Sequence, residues 1–186
     1  MPKFILCYFL FLLNIYSQDL NFDNSYVLIK EIGEVEIRSY KPQLCASYGD
    51  NDNKQNQNNY FQILAKYIFG DNDKNERIAM TSPVVIQLFN KNKMLFIMPE
   101  KYDKKSIPIP NNNKIKIITT NYKQKAIIKY SGYSNKEKEK KKIEELKNIL
   151  NKNGISYNNT FELLVYDPPY KLFNRRNEIA VDITKL

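Results

Sequence analysis

Residues 76 to 89 read Glu-Arg-Ile-Ala-Met-Thr-Ser-Pro-Val-Val-Ile-Gln-Leu-Phe. The apolar, β-branched second half of this stretch, Val84 to Phe89, predicts a buried strand. Pro83 stands at the start of that strand, where a missing backbone donor is tolerated. Met94 to Met98 follows closely and predicts a second central strand. We expect the flanking segments to complete the same sheet.

Length and composition predict one globular domain. The chain has 186 residues, of which 42% are hydrophobic and 13% aromatic, enough to form a packed core. It contains only 5 Gly and 8 Pro, which does not fit a low-complexity or linker protein. We therefore expect a single domain over residues 18–186.

Residues 1–17 are predicted to be a secretory signal peptide. Lys3 supplies a positive start, Phe4 to Leu13 is an uninterrupted apolar segment, and Ser17 is a small residue at the expected cleavage point. The apolar segment is shorter than the roughly 20 residues that span a bilayer, and an uncleaved anchor is the alternative. The mature chain would then lie in an extracellular or vacuolar space, without a membrane span.

Signal cleavage would remove one of the two cysteines. Cys7 lies in the predicted signal, so Cys45 would be left alone and could form no intramolecular disulfide. A lone cysteine on a strand is usually buried and inert. Asn158 opens an Asn-Asn-Thr acceptor sequon, which matters only if the host glycosylates it.

The first half of the chain begins with strands. Residues 26–32 and 35–40 alternate in polarity about a glycine and predict a hairpin, with Arg38 on the polar face of a half-buried strand. Residues 44–48 predict a third strand, in which Cys45 faces away from the apolar side chains on either side of it.

A helix is predicted from Lys54 to Phe69. The residues expected to pack on the sheet recur at helical spacing and are Tyr60, Leu64, Tyr67 and Ile68. Phe61 and Ala65 lie a step further round the helix, so its apolar stripe is unusually wide. Either the helix is deeply buried, or the additional apolar surface meets a ligand or a partner.

The second half repeats this order. Residues 115–120 and 126–130 predict a hairpin, and a capping box formed by Ser134 and Glu137 predicts the start of a second helix. The apolar stripe of that helix consists of Ile143, Leu146 and Leu150, and Gly154 ends it. Strands at 161–166 and 178–183 complete the sheet. The order indicates an internal duplication of a strand-helix-strand unit.

The basic run at 136–142 does not favour nucleic-acid binding. Glutamates at spacings that permit pairing along the helix interrupt the lysines, which dilutes the positive field. No aromatic residues alternate with the lysines, as binding of a single strand would favour. A solvated helix face is the better interpretation, and we expect no nucleic-acid partner.

Catalysis is not expected. The chain has no histidine, which removes the commonest general base, the usual triads and most zinc sites. It has no glycine-rich phosphate loop, and its carboxylates are predicted on solvent faces. An acidic pair assembled by folding is the remaining route to an enzyme.

Two segments resemble a known family. The first is Ile-Ala-Met-Thr-Ser-Pro-Val at residues 78–84, and the second combines Tyr-Asp-Pro-Pro at 166–169 with Arg-Arg-Asn-Glu-Ile at 175–179. Both are similar to signatures of the SOUL heme-binding family, and they occur in the same order. The resemblance implies an α+β fold, a distorted antiparallel β-barrel flanked by two helices with a pseudo-twofold duplication. It also implies a tetrapyrrole ligand, heme or another porphyrin.

The resemblance also implies a site at the end of the first helix. There it makes Phe61 and Ala65 candidates for facing the porphyrin and Lys66 the partner of a propionate. Asn58 stands where some family members carry an arginine, so Lys66, with Lys54, is left to balance the propionates. Lys66 as an ordinary surface lysine is the alternative. Arg175 and Arg176 are expected to satisfy backbone groups and carboxylates within the fold.

Iron ligation has no recognisable motif in this sequence. Without histidine, an axial ligand could come only from Tyr, Met, Cys45 or Lys. We therefore expect a monomer that holds a tetrapyrrole in an apolar surface groove by burial and charge, without a dedicated axial ligand. The alternative is a protein-interaction module that uses the same apolar helix face to bind a protein partner.

Overall fold

The structure is a computed structural model that describes residues 26–49, 57–89 and 93–186. The predicted signal peptide and Lys54 lie outside these residues. The described elements, in chain order, are β1 (Tyr26–Ile32), β2 (Val35–Tyr40), β3 (Leu44–Gly49), α1 (Gln57–Ile68), β4 (Val84–Gln87), β5 (Lys93–Ile97), β6 (Lys116–Thr119), β7 (Lys123–Ser131), α2 (Lys136–Lys152), β8 (Ser156–Val165) and β9 (Arg176–Lys185).

Across the described ranges, the nine strands form one antiparallel sheet in the order β1-β2-β7-β9-β8-β4-β5-β3-β6. If β2, β3, β4 and β5 are exchanged with β6, β7, β8 and β9 in turn, the order from β2 to β6 becomes the same order read from the other end. This part of the sheet is therefore pseudo-twofold about the β4–β8 pair. The predicted α+β class and duplication are therefore confirmed. Within the described part of the chain no pairing joins the two edge strands, and the distorted barrel is open.

Both helices cover the same face of the sheet. The sheet-facing residues predicted for α1 are fully buried against β3 and β5, and the stripe predicted for α2 is buried against the strands of the other half. Ile86 and Val165 contact both clusters, so the two cores are continuous at the pseudo-twofold axis. Burial of these stripes is the main source of stability, because each large apolar side chain contributes about 1.5–3 kcal/mol.

The hairpin predicted at residues 115–130 is wrong. β6 pairs with β3, whereas β7 lies between β2 and β9 at the far side of the sheet. The pseudo-twofold order explains this arrangement, because β6 and β7 correspond to β2 and β3, which are also consecutive in the chain and unpaired. Alternation identifies strands, but it does not identify their partners.

Two predicted boundaries also need correction. The cap of α2 is Asn135, whose side chain accepts a hydrogen bond from the Lys138 amide at 2.9 Å, and Ser134 instead donates to Glu139. An asparagine in that position satisfies an open amide at the helix start as well as serine does. The strand predicted to reach Phe89 ends at Gln87, and Phe89 is exposed.

The face of the sheet opposite the helices is not a solvent face. Arg38 and Glu178, predicted on polar surfaces, are both completely buried there. We refer to this side as the charged face, and its ion-paired residues are Glu36, Arg38, Lys123, Lys125, Lys129, Glu162, Arg176, Glu178 and Asp182. Side chains from neighbouring strands bury Arg38 and Glu178, which alternation along a single strand cannot show.

Candidate functional site

A shallow depression of about 580 Å³ lies beside the C-terminal half of α1. Three of the predicted site residues, Phe61, Ala65 and Lys66, line it together. The side chain of Asn58 is outside the described part of the structure, so its predicted place in the site stays a prediction. We refer to this depression as the α1 groove; its described lining residues are Phe61, Gln62, Ala65, Lys66, Phe69 and Asp71.

The packing of α1 positions the apolar side of the groove. The ring of Phe61 lies edge-on to Phe96, with 5.4 Å between the ring centroids, so one side of Phe61 is held by the sheet. Phe61 and Ala65 are half-buried, and Phe69 is 63% exposed. The wide stripe of α1 is therefore not wholly buried, and part of it faces the groove.

Phe69 was missed as a site residue, although the sequence carried a signal for it. Phe61, Ala65 and Phe69 are each four residues apart and follow one ridge of the helix. The helix ends at Ile68, and Gly70 continues with φ +118°, a conformation that favours glycine. This turn leaves the Phe69 ring uncovered at the mouth of the groove.

The polar side of the groove combines one cation and one anion. Lys66 is exposed and has no ion-pair partner among residues 26–49, 57–89 and 93–186. The Asp71 amide donates to the Lys66 carbonyl at 3.0 Å, and the Asp71 carboxylate accepts from the Asn111 side chain at 2.9 Å. Lys66 is thus the cation of the groove available to an acidic group of a ligand.

Residue types able to ligate iron are scarce in the groove. Of its described lining residues, Lys66 alone is of a type that could supply an axial ligand here, namely Tyr, Met, Cys or Lys. Cys45 lies on the charged face, where burial raises the pKa of its thiol to about 12. Across the described residues, no group of three His, Cys, Asp or Glu side chains could hold a metal ion.

Arg175 and Arg176 have the structural roles predicted for them. Arg175 donates to the carbonyl oxygens of Asp167, Pro168 and Lys171 and thereby fixes the loop before β9. Arg176 donates to the Glu178 carboxylate at 2.8 and 3.0 Å.

Glu178 is the centre of the network on the charged face. It accepts two hydrogen bonds from Arg38, two from Arg176 and one from the Tyr166 hydroxyl. Burial opposes ionisation of Glu178, but the hydrogen bonds and charges of the two arginines outweigh it and hold its pKa below the ordinary value. The network stabilises the sheet, and the five hydrogen bonds occupy the lone pairs of the Glu178 carboxylate.

Among the residues that the structure describes, no helix has the length and apolar character needed to cross a bilayer.

The fold defines a class of pseudo-twofold α+β proteins, and sequence comparison places the chain in one family. The model of the SOUL heme-binding protein family matches residues 23–182. The chain therefore belongs to the SOUL heme-binding protein family.

Two relatives agree with this placement. Heme-binding protein 1 of Xenopus laevis is 30% identical over 125 residues, which covers 62% of this chain and 65% of the relative. Heme-binding protein 1 of Mus musculus is 28% identical with the same coverage. The match thus spans 65% of the length of these relatives.

Two solved structures share the fold at much lower identity. The C-terminal domain of EcmrR has a TM-score of 0.60 at 11% identity, covering 82% of this chain and 98% of that one. An uncharacterized conserved protein from Listeria innocua has a TM-score of 0.60 at 7% identity, covering 81% and 92%. At these identities the likeness shows the fold alone.

Proposed function

We propose that this chain binds a tetrapyrrole, heme or another porphyrin, reversibly in the α1 groove. The observation that carries the proposal is the apolar ridge of Phe61, Ala65 and Phe69 beside Lys66, which has no ion-pair partner in the described part of the chain. Its family is named for heme binding, and the relatives reported above are named Heme-binding protein 1.

The chemistry of the groove fits a flat amphipathic ligand. Apolar contact with Phe61, Ala65 and Phe69 would remove ring surface from water, which is the main favourable contribution at such a site. Lys66 would stay at the edge of the groove and bind a propionate, an exposed ion pair worth about 0–1 kcal/mol. Asp71 on the same edge would disfavour a second carboxylate there, so we propose that one propionate is bound and the other is solvated.

We also propose that binding needs no dedicated axial ligand. The groove offers Lys66 but, among its described residues, no tyrosine, methionine or cysteine. Burial and charge would then provide the affinity, and iron would add little to it. Residues 1–17 are proposed to be a cleaved signal, which would give the mature protein an extracellular or vacuolar role in holding or buffering the pigment.

A protein-interaction role is the second candidate, and the 63% exposure of Phe69 is the observation that favours it. An aromatic residue left in water beside an apolar groove also suits a partner's side chain. The two roles separate in size-exclusion chromatography with and without heme. A Soret band that elutes with a monomer supports pigment binding, and a stable pigment-free complex with another protein supports the alternative.

Absorbance titration of heme into wild type and Phe61→Asp tests the proposed site. A carboxylate placed on the apolar ridge should weaken heme binding strongly, whereas Tyr122→Phe, which changes an exposed tyrosine outside the groove lining, should leave it unchanged. Equal affinities for the three proteins would contradict the proposal. Circular dichroism is needed alongside, because Phe61 also contacts Phe96.

A further inference from the structure

A second cavity lies on the charged face, behind the strands that carry α1. It encloses about 260 Å³, and its apolar walls include Val85, Leu95, Ile97 and Leu164. Neighbouring residues of the same strands, such as Phe96, point to the opposite face and pack under α1. The thickness of the sheet therefore separates this cavity from the α1 groove.

The size of the cavity restricts its ligand. Pockets for drug-sized ligands measure about 300–1,000 Å³, so a cavity of about 260 Å³ is too small for a porphyrin. It suits a molecule of roughly the size of one aromatic ring with a polar group. A ligand here would be chemically distinct from the one proposed for the groove.

The charges at the cavity restrict the ligand further. Lys125 is paired with Glu162 and lies 3.3 Å from Asp182, and Lys123 is paired with the same Asp182 carboxylate. These two lysines and two carboxylates balance each other. Lys93, the remaining cation in the lining, has no ion-pair partner in the described part of the chain.

Lys93 also lines the cavity, on the same face of β5 as Leu95 and Ile97. Its side chain is half-buried at the start of β5, and its charge acts on the buried Cys45 thiol of the neighbouring strand β3. A half-buried cation facing apolar walls is stabilised when an anion occupies the space in front of it. The arrangement leaves room for one negative charge and an apolar body.

We propose that this cavity binds a small monocarboxylate with an apolar body, an aromatic or short-chain aliphatic acid, with its carboxylate at Lys93. The apolar body contacts the walls formed by Val85, Leu95 and Leu164. The site is independent of tetrapyrrole binding, because its residues point to the other face of the sheet.

Titration of the ¹⁵N-labelled full chain with benzoate, and separately with benzylamine, tests this proposal. Benzoate should shift the amide resonances of Cys45, Val85 and Leu164 and leave those of Phe61 and Ala65 in place. Benzylamine has the same ring and the opposite charge. It should bind at least about tenfold more weakly than benzoate, the factor expected for one charge-assisted hydrogen bond. Equal binding of the two probes, or shifts confined to α1, would overturn the proposal.

Three variants complete the test. Lys93→Gln should weaken benzoate about tenfold, whereas Lys116→Gln, which changes an exposed lysine on the edge strand β6 outside the cavity lining, should not. Benzoate affinity that is the same in wild type and Lys93→Gln would refute the assignment of the cation. Val85→Phe should fill the cavity and abolish the shifts while leaving heme binding unchanged, which separates failure of this site from failure of the α1 groove.

Discussion

Glu178→Gln should be among the most destabilising single substitutions in the described structure. The Glu178 carboxylate is completely buried and accepts five hydrogen bonds, four of them from Arg38 and Arg176. The amide of glutamine is uncharged and has one accepting oxygen. Its NH₂ group would face arginine or tyrosine donors, and Arg38, also fully buried, would lose its main counter-charge.

The expected loss is about 3–5 kcal/mol of the free energy of unfolding, the range measured when one partner of a buried ion pair is removed. For a chain of this length that corresponds to roughly 6–20 °C in Tm. Glu34→Gln is the matched control, since Glu34 is 77% exposed and its nearest cation is 4.0 Å away, and it should change stability by about 0.5 kcal/mol or less. Urea denaturation followed by circular dichroism measures both, and a loss below about 1 kcal/mol for Glu178→Gln would refute the reasoning.

The same residue makes stability depend on pH. Because the folded pKa of Glu178 lies below its ordinary value of 4.5, its contribution is present above that value. The contribution is lost as pH falls through the folded pKa, since the unfolded chain then binds the extra proton. Wild type should therefore lose stability between neutral pH and acid more steeply than Glu178→Gln, and parallel curves would contradict this assignment.

The remaining predictions concern Arg176, Cys45 and the N-terminus. Arg176→Ala should lower the free energy of unfolding by about 1.5 kcal/mol. This is the lower end of the range for a charge-assisted hydrogen bond, because the Arg176 side chain is 38% exposed. Thermal denaturation measures the change, and an unchanged Tm would count against the prediction. Cys45 should react slowly with iodoacetamide at pH 8 until the protein unfolds, since burial raises its pKa to about 12; rapid labelling in native buffer would disprove this burial. Intact-mass analysis of the native protein should give a chain that begins near Gln18, and retention of Met1 in a soluble pool would reject the signal peptide.

Local periodicity predicted the elements of the fold well, because each depends on residues close in sequence. The spacing of Tyr60, Leu64 and Tyr67 identified the buried side of α1, and that of Ile143 and Leu146 did the same for α2. The duplication also followed from the order of elements. None of these predictions depends on the pairing of the strands.

Predictions failed where the outcome depends on distant parts of the chain. Arg38 and Glu178 are 140 residues apart and meet because β2, β7 and β9 are neighbours in the sheet. The pattern of β2 alone placed Arg38 on a polar face and could not show that the face is covered. The β6–β7 hairpin failed for the same reason, since strand pairing is a property of the whole sheet.

The candidate site could be predicted in part because it lies on one helix. Phe61, Ala65 and Lys66 are held together by helical geometry, so residues close in sequence line one groove. Phe69 was missed because it was taken as the helix end rather than as the next position on the ridge. Asp71 joins them only through the turn after α1, which the sequence did not specify.

The measurement that tests the central proposal most directly compares heme and iron-free protoporphyrin binding to wild type, Phe69→Asp and Phe173→Asp. Both phenylalanines are exposed, 63% and 79%, but only Phe69 lies in the α1 groove. Wild type and Phe173→Asp should bind both pigments with similar affinity, and Phe69→Asp should weaken both about tenfold or more, as expected for the loss of one apolar contact surface. Equal affinity in the two variants, or binding of heme alone that a Tyr or Cys45 substitution abolishes, would contradict a groove that holds the tetrapyrrole without an axial ligand.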